Sequence, residues 1–253
     1  MSKEADERFK QLFEDAKKDE NIIGFFLGGS RAKGLENEFS DYDVYIIVKD
    51  SKLKEYKRKY PFEKYKNMDL IVYSISEFKK HASWDGPENW ARYSFAHLKV
   101  MINKNKKIQK SVDEKSRIPK NKIRPFISAA LDGYINYVYR SLKCAKNGDL
   151  LAARLEAALS IPLLLDAIFA LHGGRLRPYY KYLEWEFMNF PLNKFHMNSK
   201  EILKSVSNIL DNADIKTQQK LLETVEKLFR KEGYDKVFDN WGDKLDWMKK
   251  FQK

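Results

Sequence analysis

The sequence predicts an α+β protein in which a mixed β-sheet with flanking helices comes first and an all-helical bundle follows. Short apolar runs of strand length cluster before residue 110. From residue 122 onward, apolar residues instead recur at helical spacing. Because the two blocks are segregated, we expect one domain over residues 1–110 and a second over residues 111–253, with the boundary in the charged stretch 108–122.

The N-terminal block combines amphipathic helices with short apolar strands. Phe9, Leu12, Phe13 and Ala16 share one face of a helix at helical spacing. A proline at position 61 ends a later surface helix. The expected elements, in chain order, are a helix over 3–18, strands over 22–27 and 42–48, a helix over 52–60, a strand over 68–73, a helix over 76–81 and a strand over 99–102.

The C-terminal block is helical throughout in its pattern. Gly148 and the pair Gly173-Gly174 end helices, since glycine readily adopts the left-handed conformation of a helix C-terminus. The expected helices cover 122–146, 149–172, 178–189, 199–211, 215–231 and 235–250.

Composition and charge narrow the classes of function. Of the 253 residues, 48 are lysine or arginine and 36 are aspartate or glutamate, so the formal net charge is +12, which favours anionic partners such as a nucleoside triphosphate or nucleic acid. The single cysteine, Cys144, cannot form an internal disulfide. No apolar run reaches membrane length, and the N-terminus has no apolar signal region. We therefore expect a soluble, cytoplasmic protein with no membrane partner. The four histidines lack ligand spacing, which disfavours a zinc site.

The most informative stretch lies between the first two strands. Gly28, Gly29 and Ser30 end the first apolar run, and Asp41 and Asp43 stand at the start of the second. Residues i and i+2 of a strand share a face, so these carboxylates lie side by side and repel unless a cation separates them. Mg²⁺ typically uses one or two carboxylates together with substrate phosphates, and glycines let the backbone approach a bulky anion. The stretch therefore predicts a site for a metal-bound nucleoside triphosphate.

A third acid heads the next strand. Asp69 precedes Leu70-Ile71-Val72 on a strand that is expected to be buried, where a carboxylate needs a partner. An interpretation of Asp41 as a turn residue and Asp43 as a solvated edge residue does not account for Asp69.

The apolar strand, the pair Gly29-Ser30, the triplet Asp41-Tyr42-Asp43 and the later Asp69 together resemble the nucleotidyltransferase superfamily related to DNA polymerase β. The resemblance covers roughly residues 20–75. The residue sequence Gly-Gly-Ser-Arg-Ala-Lys-Gly further resembles the small antibiotic-modifying branch, which contains the aminoglycoside and lincosamide nucleotidyltransferases. A second stretch, Arg175–Trp185, is similar to a segment in the helical domain of some relatives.

The resemblance implies two Mg²⁺ ions and a nucleoside triphosphate donor, ATP or another. It assigns Asp41 and Asp43 to metal ligation, and Ser30 with the Gly29 backbone to the outer phosphates. Asp69 is either the third metal ligand or the general base for the acceptor hydroxyl, or both.

Three basic residues are further candidates for nucleotide binding. Arg31 directly follows the serine and could neutralise phosphate charge, and Lys33 lies in the same loop, where a solvated side chain is an equal alternative. From the helical part, the resemblance adds Lys181, ahead of Arg177, as a lysine that reaches the triphosphate in relatives.

Three acids are alternative bases or acceptor-binding anions. They are Glu88, Glu156 and Asp166. Asp166 interrupts an apolar helical run and needs a partner if it is buried, so a buried hydrogen bond is the favoured account for Asp166 and Glu156.

The resulting hypothesis is a Mg²⁺-dependent adenylyltransferase-type enzyme. It would move a nucleoside monophosphate, AMP from ATP by preference, to a hydroxyl of a small acceptor such as an aminoglycoside-like antibiotic, and release pyrophosphate. Alternatives are transfer to RNA, for example a tRNA 3′ end, or to a protein hydroxyl, and a non-catalytic nucleotide-binding protein. The net charge of +12 favours RNA, but no RNA-binding motif is visible. A monomer and a homodimer both stay open.

Overall fold

The computed structural model describes residues 3–104 and 106–252. The chain forms two compact units, which divide between Ile118 and Pro119. This division lies inside the charged stretch 108–122. The domain boundary at residue 110 that the sequence indicates stays a prediction.

The first unit is built around a four-stranded mixed sheet. Its strands are β1 (Ile22–Leu27), β2 (Tyr42–Val48), β3 (Met68–Ser74) and β4 (Ile102–Asn103), in the spatial order β3-β2-β1-β4. β1 runs antiparallel to β2 and to β4, whereas β2 and β3 are parallel. The strand patterns alternate because one set of side chains faces each side of the sheet.

Helices cover both faces of this sheet. Helices α1 (Lys3–Lys18) and α2 (Leu53–Lys59) pack on the face formed by Tyr42, Val44 and Leu70. The other face carries Phe26 and Ile47, and its core includes residues of α3 (Ile75–Lys80), the 3₁₀ helix Asn89–Phe95 and α4 (Lys107–Lys115). The sheet is therefore enclosed by two apolar layers.

Two elements of the first unit differ from the sequence-based expectation. The fourth strand lies at Ile102–Asn103 instead of 99–102, because the side chain of Gln109 forms hydrogen bonds with the backbone that precedes the strand. Its Oε1 accepts from the Val100 N–H at 2.8 Å, and its Nε2 donates to the Leu98 carbonyl at 3.2 Å. Helix α4 was not expected in its charged stretch. It forms because Ile108 and Val112, four residues apart, are buried against the sheet.

The second unit is all-helical. Its long helices α5 (Lys120–Lys146) and α6 (Leu150–Leu171) pack against each other along their length. The remaining helices are α7 (Leu183–Asn189), α8 (Ser199–Asn212), α9 (Ile215–Lys231), α10 (Asp235–Asp239) and α11 (Gly242–Lys250).

The expected C-terminal helix over 235–250 is two helices. Gly242 has a φ of +46°, a left-handed conformation that interrupts a right-handed helix between α10 and α11. The expected helix over 178–189 begins later, because Pro178 and Tyr179 are extended and a 3₁₀ turn, Tyr180–Tyr182, precedes α7. The predicted α+β class, with a mixed sheet followed by helices, is confirmed. None of the helices in the described ranges combines the length and apolarity needed to cross a membrane.

Candidate active site

Strand register places the motif residues at one end of the sheet. Asp43 and Asp69 are register partners on the parallel strands β2 and β3. The N–H of Gly28, which follows β1 directly, donates to the carbonyl oxygen of Asp43 at 2.8 Å. The glycine turn and two of the acids therefore meet where β1 ends and β2 and β3 begin.

The two paired acids share a face of the sheet. Asp43 and Asp69 are both half-buried, and register partners on parallel neighbouring strands project to the same side. Asp41 lies two residues before Asp43 and is exposed. Burial raises the pKa of the Asp69 carboxyl above its ordinary value, and the negative charges of Asp41 and then Glu63 raise it further. The site thus gathers negative charges whose mutual repulsion a bound cation would reduce.

The glycine turn receives the carboxylate of Asp43. Gly29 has a φ of +61°, and a Cβ at this position would lie 1.9 Å from Oδ2 of Asp43. At Gly28, a Cβ would lie 2.8 Å from the ring of Tyr45. Both positions need glycine because side chains of β2 occupy the space. From the sequence, the glycines were expected to leave room for a phosphate group, and the contact of the turn with Asp43 and Tyr45 was not predicted.

Ser30 lies in a loop that is closed by side-chain hydrogen bonds. Its Oγ donates to Oγ of Ser40 at 3.0 Å, and that same oxygen accepts from the Asn37 N–H at 2.9 Å. The Ser30 carbonyl accepts from the N–H groups of Lys33 and Leu35, each at 3.0 Å. The serine hydroxyl is therefore held beside the segment that leads into Asp41. Sequence reasoning gave Ser40 no role.

Arg31 joins the glycine turn to the backbone before β2. Its Nε donates to the carbonyl of Asp41 at 2.9 Å and its NH2 donates to the carbonyl of Ser40 at 3.0 Å. The guanidinium carbon lies 3.9 Å from the ring centroid of Tyr42, and Asp6 Oδ1 lies 3.9 Å from NH1. Because Tyr42 belongs to the core opposite Asp43, these contacts direct the side chain away from the face with the paired acids.

The two lysines predicted to bind nucleotide have local contacts. Nζ of Lys33 donates to the carbonyl of Ala96 at 2.9 Å and lies 5.4 Å from the ring centroid of Tyr93. Lys181, in the second unit, is exposed, and its Nζ lies 5.0 Å from the ring centroid of Tyr182. A part in triphosphate binding stays a prediction for both.

The three alternative acids are each paired with a base. Oε2 of Glu88 lies 2.8 Å from Nδ1 of His81. Arg177 donates from Nε to Oδ1 of Asp166 at 2.9 Å, which confirms that Asp166 has the partner its position demanded. Glu156 accepts from Arg140. Hydrogen bonds to basic side chains therefore account for one carboxylate oxygen of each acid without a catalytic role.

The donor chemistry of the site fits Mg²⁺, which prefers carboxylate oxygens. Within residues 3–104 and 106–252, however, no three histidine, cysteine, aspartate or glutamate side chains already form a group that could hold a metal ion. Ligation by Asp41, Asp43 and Asp69 together stays a prediction. The carboxylate of Asp43 lies against the backbone of Gly29, and a change of its rotamer would alter which oxygen atoms face Asp69.

Comparison with known proteins agrees with this geometry. Residues 7–97 match the nucleotidyltransferase domain family. The match spans β1, β2 and β3 with all three acids and the glycine turn, so this part of the first unit is similar to that family. No curated protein gives a significant match to the chain.

Among solved structures, the chain is similar to a nucleotidyltransferase-like protein from Exiguobacterium sibiricum 255-15. The two share 9% sequence identity with a TM-score of 0.44, and the aligned region covers 94% of this chain and 76% of that chain.

Proposed function

We propose that this protein is a Mg²⁺-dependent nucleotidyltransferase that moves a nucleoside monophosphate, AMP from ATP by preference, to a hydroxyl of a small acceptor. The observation that carries the proposal is the pairing of Asp43 with Asp69 on parallel strands, beside the turn of Gly28 and Gly29. The raised pKa of Asp69 supports the proposal, because burial and then the negative charges of Asp41 and Glu63 raise it, and these charges are ones that a bound cation would offset.

In this proposal Asp41, Asp43 and Asp69 are the residues that would hold the metal ions. When bound, Mg²⁺ supplies charge neutralisation on the triphosphate and lowers the pKa of the acceptor hydroxyl. Asp43 would turn away from the backbone of Gly29 for this purpose, and the turn would then be open to the outer phosphates. Ser30 exchanges its hydrogen bond with Ser40 for one to a phosphate oxygen.

The bond changes are those of an in-line displacement. The acceptor oxygen forms a bond to the α-phosphorus while the bond from that phosphorus to the bridging oxygen of the β-phosphate breaks. Asp69 accepts the proton of the acceptor hydroxyl, and pyrophosphate leaves with the electron pair of the broken bond. Asp69 is suited to this step because a carboxylate beside the metal ions stays ionised and can accept a proton.

The acceptor is proposed by analogy with the antibiotic-modifying branch, in which it is a hydroxylated small molecule. A cationic acceptor needs local negative charge, and Asp41, Glu63 and Asp69 supply it although the chain as a whole carries +12.

The test is pyrophosphate release from each of the four ribonucleoside triphosphates with Mg²⁺, against small hydroxylated acceptors and bulk tRNA. Asp43→Asn and Asp69→Asn are the test variants. Asp15→Asn is the matched control, because Asp15 is an exposed acid on α1 whose hydrogen bond to Gln11 stays within that helix.

We expect acceptor-dependent release that falls at least a hundredfold in both test variants and is unchanged in the control, since removing one metal ligand removes transition-state stabilisation. Release that survives in both variants would refute the proposed metal site. Nucleotide binding without turnover, at equal affinity in all variants, would support the non-catalytic alternative instead.

A further inference from the structure

A cavity in the helical unit is lined by residues of the second unit alone. It has a volume of about 400 Å³, within the range of small-molecule sites, and lies between the C-terminal end of α5 and helix α11. Two half-buried aromatic residues, Tyr139 and Trp247, form its wall, with ring centroids 5.7 Å apart and planes at 81°. A neighbouring ring, Trp241, is held by a hydrogen bond from Nε1 to Asp132 at 3.0 Å and supports Tyr139 from a centroid distance of 5.9 Å.

Three lysines line the same cavity. Nζ of Lys143 lies 5.1 Å and Nζ of Lys244 lies 5.7 Å from the ring centroid of Tyr139. Nζ of Lys146 lies 5.8 Å from the ring centroid of Trp247. In the part of the chain that the structure describes, none of the three forms an ion pair, and the cavity contains a single acid, Asp243.

The helix dipole explains only part of this arrangement. Lys143 and Lys146 belong to the last turn of α5, where cations are favourable. Lys244 belongs to α11 and lies near that helix's N-terminus, where a cation is unfavourable. Its convergence with the other two on a pair of aromatic rings indicates a ligand that is both anionic and aromatic.

We propose that this cavity binds a phosphorylated nucleoside, either as a free nucleotide or as a nucleotide within single-stranded RNA. The base stacks on Trp247 or Tyr139, and the lysine that leaves the ring face pairs with the phosphate. The proposal does not rest on the transfer reaction proposed above, because all residues that line this cavity belong to the second unit.

The test measures binding in EDTA, so that metal-dependent binding to the acids of the first unit does not contribute. The probes are AMP, followed by isothermal titration calorimetry, and a fluorescein-labelled single-stranded RNA of roughly eight nucleotides, followed by anisotropy. The variants are Trp247→Leu and the double change Lys143→Gln with Lys244→Gln. The matched control is Lys200→Gln with Lys204→Gln, which removes the same charge from exposed positions on α8.

We expect Trp247→Leu to weaken binding roughly 5- to 100-fold, as for the loss of one stacked base. The cavity double variant should weaken binding at least tenfold and lower the salt slope for RNA by about 1.4, while the control leaves both nearly unchanged. The loss should be seen with AMP if the ligand is a free nucleotide, and with the RNA alone if it is a strand. Equal weakening by the two double variants, or no binding of either probe to the unaltered protein, would overturn the proposal.

Discussion

The carboxylate of Asp43 lies against the backbone of Gly29, so closely that a Cβ on Gly29 would be 1.9 Å from Oδ2. The contact connects the turn after β1 with the first residues of β2, and it decides whether the acid is available to a metal ion.

Gly29→Ala should abolish the close contact and expel the Asp43 carboxylate. A non-glycine residue at a φ of +61° costs about 1–2 kcal/mol in the free energy of unfolding, and the clash adds to that cost. Gly34→Ala is the matched control, because Gly34 has a φ of +67° but nothing within 4 Å of the added Cβ. Urea denaturation should therefore show a larger loss for Gly29→Ala. Pyrophosphate release should fall in that variant alone, because the added Cβ occupies the space that the proposal gives to the outer phosphates. Equal losses in both variants would show that only backbone strain matters.

Arg31→Lys should destabilise the protein although it keeps the charge. A lysine cannot donate to the carbonyls of Ser40 and Asp41 together, and the loss of one hydrogen bond costs about 0.5–1.5 kcal/mol. Arg8→Lys is the control, because Arg8 also lies over a tyrosine ring but is exposed. If Arg31 instead acted mainly on phosphate, urea denaturation would give the two variants equal stability and only nucleotide binding would change.

Phe39→Ala should raise the KM for one of the two substrates and leave the stability of the fold unchanged. The residue is 87% exposed and directly precedes Ser40, the hydrogen-bonding partner of Ser30. Exposed apolar side chains change stability little, so we expect the free energy of unfolding to stay within about 0.5 kcal/mol. If Phe39 contacts the nucleobase or acceptor, the KM for one of them rises in steady-state kinetics while kcat is maintained. Unchanged KM values for both substrates would contradict such a contact.

Lys115 should make stability depend on pH in the alkaline range. It is buried, its Nζ donates to the carbonyls of Lys79 and His81, and burial, followed by the charge of Arg92, lowers its pKa to about 8. The unfolded chain keeps the ordinary value of 10.5, so between these values the unfolded state binds more protons and stability rises with pH. The slope contributed by one group is at most about 1.4 kcal/mol per pH unit.

The measurement compares the wild type with Lys115→Met by urea denaturation from pH 7 to 11. The difference in unfolding free energy should move in favour of the wild type above a pH of about 8, the value to which burial lowers the pKa. Lys110→Met, at a lysine of the same helix whose side chain is 77% exposed, should show no such trend. A difference that is constant with pH would mean that the pKa of Lys115 is not depressed.

Much of the fold followed from local pattern. The strands β1, β2 and β3 and the long helices α5 and α6 were predictable because apolar periodicity and glycine or proline boundaries are properties of neighbouring residues. Helix α4 and the position of β4 were not. Both depend on Ile108, Val112 and Gln109 contacting segments that precede them in the chain, and no local signal marks such contacts.

The sequence by itself predicts which residues carry the chemistry: the spacing of Gly29, Ser30, Asp41, Asp43 and Asp69 resembles a nucleotidyltransferase motif, and the metal and the nucleotide are proposals that follow from that resemblance. Tertiary structure decided what those residues contact. Only the register of β2 against β3 pairs Asp43 with Asp69, and only the folded turn shows Arg31 bound to backbone carbonyls. The physical reason is that residue types and spacing are fixed locally, whereas hydrogen-bond partners are chosen by packing between distant segments.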